Sequence, residues 1–220
     1  MKHVSFECGP IFYKNNKNAT VLNYIKLNFN SPHVAVITGP SGCGKTTLLK
    51  AVSGLIKAEV GIRKLNNTIY NDKNLVNWRN KVTFLPQDAP IVPGTVEENI
   101  IFPFKLKNCQ HPLPRLEDVL EIFKKLNLKH ITFNQDAASL SGGERHRLCL
   151  ARGLIWKPYV LLADEPLSGL EQDLAQKCFE VLKEFSQTYS RIVICTLHNE
   201  LLAKQADSLW RLKNGKLYRA

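Results

Sequence analysis

A glycine-rich segment that ends in a lysine and two threonines carries the clearest chemical signal in the sequence. Its members are Gly39, Pro40, Ser41, Gly42, Cys43, Gly44, Lys45, Thr46 and Thr47. Glycines let backbone N–H groups turn inward around phosphate oxygens, a lysine neutralises the phosphate charge, and a threonine hydroxyl is a ligand for Mg²⁺. The segment therefore predicts a polyphosphate-binding loop, or P-loop, in which Thr46 reaches the metal ion.

The surroundings of this loop agree with that prediction. The apolar run His33–Ile37 precedes it as a buried strand, and Thr46–Val52 follows it with helical periodicity. The start of a helix adds its positive dipole to a phosphate site. Cys43 permits two interpretations, either a small residue that fits the loop or a thiol open to modification.

Two adjacent acids close a second apolar segment. The run Tyr159–Ala163 is short and apolar, as strands buried on both faces are, and Asp164 and Glu165 follow it. At the carboxyl end of such a strand, Asp164 is placed to reach Mg²⁺ directly or through water, and Glu165 to polarise an attacking water. Read alone, the two acids also suit a simple strand end before Pro166.

The segment Leu140–Glu144, which reads LSGGE, offers a second anion site. A hydroxyl and accessible backbone N–H groups come from Ser141, Gly142 and Gly143 at the predicted start of a helix. The spacing of Ser141 and Glu144 is also that of a capping box, which satisfies the helix's own N–H groups. Both interpretations hold together, because a cap formed within one chain leaves the end of the helix available to a phosphate from another.

Together these motifs resemble those of the ABC (ATP-binding cassette) ATPases, whose signature motif corresponds to Leu140–Glu144. The motifs occur in the family's order, with Ser141 placed 23 positions before Asp164, and the resemblance covers nearly all of the chain. It implies ATP and Mg²⁺ as ligands and two copies that close head to tail. Ser141, Gly142 and Gly143 would then contact the γ-phosphate of ATP held in the partner's P-loop.

Three further elements resemble the same family. Gln87 lies 42 positions after Lys45 and matches the Q-loop glutamine, which touches Mg²⁺ and couples the helical lobe to the core. His198 follows another apolar run and matches the switch histidine that contacts the γ-phosphate. Ser168–Glu171 stands at the place of the D-loop but reads Ser-Gly-Leu-Glu instead of Ser-Ala-Leu-Asp. By this resemblance the catalytic set is Glu165, His198, Lys45 and Gln87.

Three residues compete for the place of the aromatic side chain that stacks on adenine. Tyr13 lies upstream of the P-loop at about the family's distance, ahead of an asparagine-rich turn. Phe12 is the adjacent alternative. A register that aligns Val4–Phe6 with the family's first strand would put Cys8 there instead. We take Tyr13 as the prediction.

Strand-like and helix-like segments alternate along the chain and predict an α/β fold with a mainly parallel sheet. The resemblance makes this a P-loop NTPase (RecA-like) core. The first thirty residues and Gly61–Thr83 show short alternating apolar segments, which predict an antiparallel β subdomain. From Thr95 to about Leu128, a helical pattern interrupted by prolines predicts an α-helical insert subdomain. We expect one domain over 1–220, with the core and β subdomain in about 1–87 and 155–220 and the helical subdomain in about 88–154.

Composition narrows the possible partners. The 220 residues carry a formal net charge of +11, which suits nucleic acid, an anionic membrane surface or polyphosphate. The basic residues are scattered and lack the interleaved aromatics of a base-stacking surface, so a solvated surface explains most of them. The six cysteines form no C-x-x-C pair, which favours reduced thiols over a zinc site. Neither a signal-peptide pattern nor a run of about 18 apolar residues is present, so we expect the chain not to span a bilayer by itself.

These features predict the ATP-binding and ATP-hydrolysing subunit of an ABC membrane transporter. The integral membrane subunit would be encoded separately. The ATPase would work as a homodimer, cytoplasmic and peripheral on the inner face of the cell membrane, with no specific nucleic acid as partner. The alternative is a soluble ABC ATPase acting on DNA or ribosomes, although the sequence shows no long coiled coil, zinc module or second cassette.

One segment bears on the cargo. Gly94–Asn108, after Gln87, is similar to the corresponding segment of the short ATPases of bacterial iron export and plant aluminium tolerance. The similarity indicates metal (iron) export. A generic amphipathic coupling helix is the competing and simpler interpretation of the same residues.

Overall fold

A computed structural model describes residues 3–107, 109 and 111–220 of the chain. Asn108, the last residue of the segment compared with iron exporters, lies outside the described residues. The strands in chain order are β1 (Ser5–Lys14), β2 (Thr20–Asn30), β3 (His33–Thr38), β4 (Glu59–Leu65), β5 (Thr68–Tyr70), β6 (Val82–Leu85), β7 (Val160–Ala163), β8 (Ile192–Thr196), β9 (Ser208–Lys213) and β10 (Lys216–Arg219).

The α-helices follow the same order. They are α1 (Lys45–Ser53), α2 (Leu75–Lys81), α3 (Val96–Ile101), α4 (Leu116–Lys125), α5 (Gly142–Ile155), α6 (Gln172–Tyr189) and α7 (Glu200–Ala203). Short 3-10 helices cover Asp72–Asn74, Phe102–Lys105 and Ala137–Ser139. Within the described ranges, no helix is both long enough and apolar enough to cross a membrane.

The larger sheet forms the core. Its strand order is β10-β9-β3-β8-β7-β6, and neighbouring strands are parallel except for β10, which is antiparallel to β9. Side chains of β3 alternate between two apolar clusters, with Val34 and Val36 on one face and Ala35 and Ile37 on the other. Helices or a second sheet cover both faces, as a parallel sheet requires. The predicted α/β core is confirmed.

A four-stranded antiparallel sheet, in the order β2-β1-β4-β5, packs with α1 against one face of the core. Phe6 on β1 stacks on Trp78 with ring centroids 5.9 Å apart, and both side chains are fully buried. Aromatic pairs of this kind anchor one layer on another.

The prediction that Gly61–Thr83 belongs entirely to this antiparallel layer is wrong in its second half. After β5 the chain forms the 3-10 helix and α2, and β6 then joins the parallel sheet. Asn71 and Asn74 cap each other's backbone at the helical start, and the Trp78 indole donates to the Val52 carbonyl oxygen at 2.8 Å. Local capping and tertiary burial of Trp78 therefore outweigh the alternating pattern.

The helical insert contains α3, α4 and α5. Val119 and Phe123 form the buried stripe of α4, and Asn99 of α3 is fully buried. The Asn99 amide accepts from the Val92 N–H at 2.9 Å and donates to the Val92 carbonyl oxygen at 2.9 Å, which fixes the loop before α3. The predicted interruption of this region by prolines appears as the 3-10 helix Phe102–Lys105.

The order of the core strands positions the predicted site. Strands β3, β8, β7 and β6 are consecutive neighbours and parallel, so their carboxyl ends lie at one edge of the sheet. The P-loop follows β3, His198 follows β8, Asp164 and Glu165 follow β7, and Gln87 follows β6. Ligands of open α/β sheets bind at this edge.

Candidate functional site

The loop between β3 and α1 has the backbone shape of an anion cradle. Gly39, Gly42 and Gly44 have φ angles of 152°, 75° and 104°, which residues with a side chain rarely adopt. A Cβ on Gly39 would lie 2.5 Å from the carbonyl oxygen of Leu212, so no side chain fits there. A Cβ on Gly42 would meet nothing within 4 Å, so the loop stays open on that side.

Lys45 and the start of α1 complete this cradle. The Lys45 ammonium donates to the carbonyl oxygens of Gly39 at 2.9 Å and Pro40 at 3.3 Å, and its side chain is buried. Gly44, the N-cap of α1, offers no side-chain acceptor, and the first helical turn has no acidic residue. The N–H groups of this turn therefore keep their capacity for an anionic ligand.

The other loop residues have different environments. Ser41 is exposed, whereas Thr46 and Thr47 are half-buried in the first turn of α1. Cys43 is half-buried and packs against the apolar cluster beneath the antiparallel sheet. Its N–H donates to the Pro40 carbonyl oxygen at 3.3 Å. This packing favours the interpretation of Cys43 as a small residue that fits the loop.

Thr196, at the end of β8, fixes both acids that follow β7. Its hydroxyl donates to Asp164 Oδ1 at 2.8 Å and accepts from the Glu165 N–H at 2.8 Å. Asp164 is 2% exposed, and its N–H donates to the Leu85 carbonyl oxygen at 2.9 Å. Glu165 has a φ of 48°, a left-handed conformation uncommon outside glycine. Strain of this kind persists where the surroundings enforce it, and here both neighbouring strands do so.

The Glu165 carboxylate meets the predicted Q-loop glutamine and switch histidine. Gln87 Nε2 donates to Glu165 Oε2 at 3.0 Å, and His198 Nε2 lies 2.6 Å from Oε1. The Glu165 side chain is 15% exposed, and that of His198 is 55% exposed. Gly39, Pro40 and His198 line one cavity of about 330 Å³, so the histidine lies beside the P-loop. The structure thus brings together residues that are far apart in the sequence.

The signature motif forms the predicted capping box at the start of α5. The Glu144 N–H donates to Ser141 Oγ at 3.3 Å, and Glu144 Oε2 accepts from the Ser141 N–H at 2.8 Å and the Ser141 hydroxyl at 2.7 Å. Glu144 Oε1 lies 2.6 Å from His130 Nε2. Hydrogen bonds from His130 and then Ser141 lower the pKa of Glu144 to about 2.

This motif is separate from the chain's own P-loop. Ser141 and Gly142 are exposed, and a Cβ on Gly142 would meet nothing within 4 Å. In the part of the chain that the structure describes, no hydrogen bond joins Leu140–Glu144 to Gly39–Thr47. The two anion sites predicted from the sequence are therefore not joined by a hydrogen bond within the described residues.

The predicted D-loop is a turn between β7 and α6. The Ser168 N–H donates to the Glu165 carbonyl oxygen at 3.1 Å, and Gly169 has a φ of 73°. Glu171 is the exposed N-cap of α6, but its side chain makes no capping hydrogen bond. The carboxylate that departs from the family pattern is therefore not used to cap its own helix.

The structure separates the three candidates for adenine stacking. Cys8 is fully buried, and burial raises the pKa of its thiol to about 12, so the register that places Cys8 against the base is wrong. Phe12 makes an edge contact with Tyr24, with ring centroids 5.7 Å apart. Tyr13 packs on the apolar cluster that Cys43 of the P-loop also contacts, and it stays the predicted residue.

Sequence reasoning missed two residues at this site. Thr196, which holds both acids, had a recognisable signal, because a hydroxyl ends the strand beside the acid-bearing one. His146 on α5 had none. Its Nε2 lies 2.9 Å from the backbone oxygen of Gln87, 59 positions away in the chain.

The donors of the site fit ATP and Mg²⁺. Mg²⁺ prefers oxygen ligands and is usually held by one or two protein groups together with substrate phosphates. The buried Asp164 carboxylate and the Thr46 hydroxyl are oxygen ligands of that kind, and the side-chain amide of Gln87 supplies another. Uncapped N–H groups and the buried Lys45 ammonium suit the phosphates.

Comparison with known proteins agrees with this geometry. The family model described as ABC transporter matches residues 22–168. The lipoprotein-releasing system ATP-binding protein LolD of Francisella tularensis (strain FSC 198) is 29% identical over 225 residues, which cover 99% of this chain and 97% of that protein. The probable iron export ATP-binding protein FetA of Escherichia coli (strain K12) is 31% identical over 196 residues, which cover 89% of this chain and 86% of that protein.

Two solved structures share the fold. A dimeric post-hydrolysis state of the ATP-binding cassette MJ0796, bound to ADP and Pi, has a TM-score of 0.82 and 27% identity, and the match covers 98% of this chain and 97% of that one. A bacterial Atm1-family ABC exporter with ATP bound has a TM-score of 0.83 over 98% of this chain and 38% of that one, and at 19% identity it shows the fold alone. By its motifs, its fold and these relatives, the chain belongs to the ABC transporter family, in which it is an ATP-binding subunit that hydrolyses ATP.

Proposed function

We propose that two copies of this chain close head to tail around two ATP molecules. Each nucleotide would lie between the P-loop of one copy and the signature motif of the other. The observation that carries this proposal is that Ser141 and Gly142, at the start of α5, are exposed and share no hydrogen bond with the chain's own P-loop within the described residues. The dimeric form of the MJ0796 cassette, bound to ADP and Pi, supports a dimer.

Within that site, each side chain has a role that suits its position. Lys45 would exchange its two carbonyl partners for oxygens of the β- and γ-phosphates. Bound Mg²⁺, held by Thr46, Asp164 and Gln87, would neutralise charge on the same phosphates. Tyr13, which lies on β1 and packs against the apolar cluster, would stack on adenine.

Glu165 is proposed to orient and polarise the attacking water. Both of its carboxylate oxygens are engaged, one by Gln87 and one by His198, so we infer that the structure shows a resting arrangement of the base. When the dimer closes, His198 would turn toward the γ-phosphate. One Glu165 oxygen would then become available to accept a hydrogen bond from water.

A groove beside the helical insert is proposed as the docking site of a separately encoded integral membrane subunit. Its volume is about 710 Å³. Its apolar lining includes Val76, Phe102, Pro103, Leu106 and Trp156, and its basic lining is Arg79, Lys107 and Arg152. Such a lining fits a partner segment with apolar and acidic side chains. Docking would keep the ATPase cytoplasmic, at the inner face of the membrane. Residues 88–154 would act as the helical subdomain of the ATPase.

For the cargo we propose a metal-related solute, with iron as the first candidate. The segment Gly94–Asn108 and the likeness to the probable iron export protein FetA support it. The likeness to LolD proteins supports lipoprotein release as the second candidate. Inverted membrane vesicles that contain both subunits would distinguish the two, since ATP-dependent uptake of iron is expected only for the first.

Co-expression with a multi-span membrane protein from a neighbouring gene tests the partnership. Leu106→Asp places a charge in the groove, and Leu120→Asp is the matched control because these leucines are 53% and 50% exposed and only Leu106 lines the groove. We expect Leu106→Asp to lose co-purification and Leu120→Asp to keep it. Equal co-purification of the two variants would contradict the groove assignment.

A separate observation would favour the alternative, a soluble ABC ATPase that acts on DNA or ribosomes. This observation is tight, steeply salt-dependent binding of duplex DNA that stimulates hydrolysis.

A further inference from the structure

His146 lies on α5, one turn after Gly142 of the signature motif, and contacts two elements at once. Its Nδ1 lies 2.9 Å from the Gly142 carbonyl oxygen in the first turn of the helix. Its Nε2 lies 2.9 Å from the backbone carbonyl oxygen of Gln87. With a proton on Nε2, the ring donates to the Q-loop, so a rigid side chain with few rotatable bonds links the signature helix to that loop.

The contact with Gln87 continues to the hydrolytic site. The Gln87 side chain donates from Nε2 to Glu165 Oε2 at 3.0 Å, and Glu165 Oε1 lies 2.6 Å from His198 Nε2. A neutral imidazole has one N–H, so with the proton on Nε2 the series runs within one chain from His146 on the signature helix, through the Gln87 residue, to Glu165. Each donor–acceptor distance in the series is within the normal range for a hydrogen bond.

This link joins the Gln87 backbone to α5. Gln87 is exposed, and the loop around it lies between β6 and the helical insert. A shift of the first turn of α5 would carry the His146 ring with it and displace the Gln87 backbone. Because the Gln87 amide bonds to Glu165, that displacement would alter the carboxylate that orients water.

The other histidine near the motif does not provide such a route. His130 Nε2 lies 2.6 Å from Glu144 Oε1, and Glu144 in turn caps Ser141. Both partners belong to the helical insert, so this contact stabilises the start of α5 without reaching the core. Within the described residues, His146 is the side chain of α5 that bonds to Gln87 itself, whereas Arg152, further along the helix, donates to the Pro90 carbonyl oxygen at 2.8 Å.

We propose that His146 is a positioning residue that transmits the state of the signature motif to Glu165 of the same chain. This inference rests on the proposed function, in which the signature motif of one copy serves the ATP of its partner while Glu165 serves the chain's own ATP. His146 would therefore couple the two nucleotide sites of the dimer. The coupling makes hydrolysis at one site faster when the other site is occupied.

Steady-state ATP hydrolysis by the purified full chain tests this proposal. His146→Ala should lower kcat about tenfold and reduce the Hill coefficient for ATP from above 1 to about 1, because one positioning hydrogen bond is lost. The Kd for ATP, measured by titration with a fluorescent analogue, should change less than about twofold, because among the described residues the ring nitrogens of His146 lie at hydrogen-bond distance from Gly142 and Gln87 and not from the P-loop. His146→Gln keeps an N–H donor and should restore most of the cooperativity.

His3→Ala is the matched control. It removes a histidine bond of the same kind, from His3 Nδ1 to the Ser31 carbonyl oxygen at 3.1 Å, far from the nucleotide site. An unchanged kcat and Hill coefficient in His146→Ala would overturn the proposal, and so would a wild-type Hill coefficient of about 1. Failure of His146→Gln to exceed His146→Ala would also overturn it. Hydrolysis at the wild-type rate by Glu165→Gln would contradict the proposed catalytic site itself. This result therefore distinguishes failure of the proposed function from failure of the His146 proposal.

Discussion

Replacement of Glu165 by glutamine tests the role of the proposed base with little change in shape. The carboxylate now accepts from Gln87 at one oxygen and lies 2.6 Å from His198 at the other. Glutamine keeps one acceptor oxygen and replaces the other with a donor. It therefore loses the negative charge and one acceptor while the left-handed backbone at this position is retained.

The expected effects on catalysis and on stability differ widely. A positioned general base supplies about 10²–10⁴ in rate, or about 3–5 kcal/mol of the activation barrier. The cost to folding is at most about 1 kcal/mol, since one hydrogen bond is lost at a site where the His198 side chain is 55% exposed and water can replace it. Glu165→Gln should therefore be folded, bind ATP and turn over at least about a hundredfold more slowly.

Three measurements on the same sample check this reasoning. Single-turnover hydrolysis gives the chemical rate, thermal unfolding gives the stability, and size-exclusion chromatography with ATP gives the oligomeric state. We expect slow hydrolysis, a melting temperature near that of the wild type and an ATP-dependent dimer that accumulates. Hydrolysis at the wild-type rate would remove Glu165 from the role of base.

The remaining predictions concern nucleotide binding and pH. Lys45→Ala should weaken ATP binding at least about tenfold in a titration with a fluorescent ATP analogue, and unchanged affinity would contradict the cradle. Tyr13→Ala should weaken ATP binding about tenfold, and Tyr13→Trp should leave it unchanged. An equal loss of affinity in Phe12→Ala would instead favour Phe12 as the residue that stacks on adenine. Hydrogen bonds lower the pKa of Glu144 from 4.5 to about 2, so its stabilising effect is present above pH 4.5 and is lost as pH falls toward 2. Thermal unfolding of Glu144→Gln should therefore depend less on pH between 4.5 and 2 than that of the wild type, and equal slopes would contradict this role.

The parts of the site that depend on local chemistry could be predicted from the sequence. A phosphate cradle needs glycines with positive φ directly before a helix, and Gly39, Gly42 and Gly44 have such angles. The capping box of Ser141 and Glu144 was likewise predictable, because its spacing alone places hydroxyl, carboxylate and N–H groups together. Features whose geometry is set within a few consecutive residues can therefore be predicted from the sequence.

Features set by tertiary contacts were not predictable. Short alternating apolar segments favour strands over Gly61–Thr83, yet burial of Trp78 against Val52 favours a helix in the second half. The contact of His146 with Gln87 joins two segments of the fold, and no spacing in the sequence indicates it. Cys8 was a reasonable alternative for adenine stacking until its full burial excluded it.

The central claim is that each nucleotide site is shared between two chains, and mixing two inactive variants tests it most directly. Lys45→Ala disables the P-loop and Ser141→Arg blocks the signature motif, so each homodimer would have no intact site. A head-to-tail heterodimer retains one intact site, and equal mixing should recover up to about a quarter of wild-type hydrolysis. A mixture as inactive as its two components, or wild-type hydrolysis by Ser141→Arg alone, would contradict the shared site.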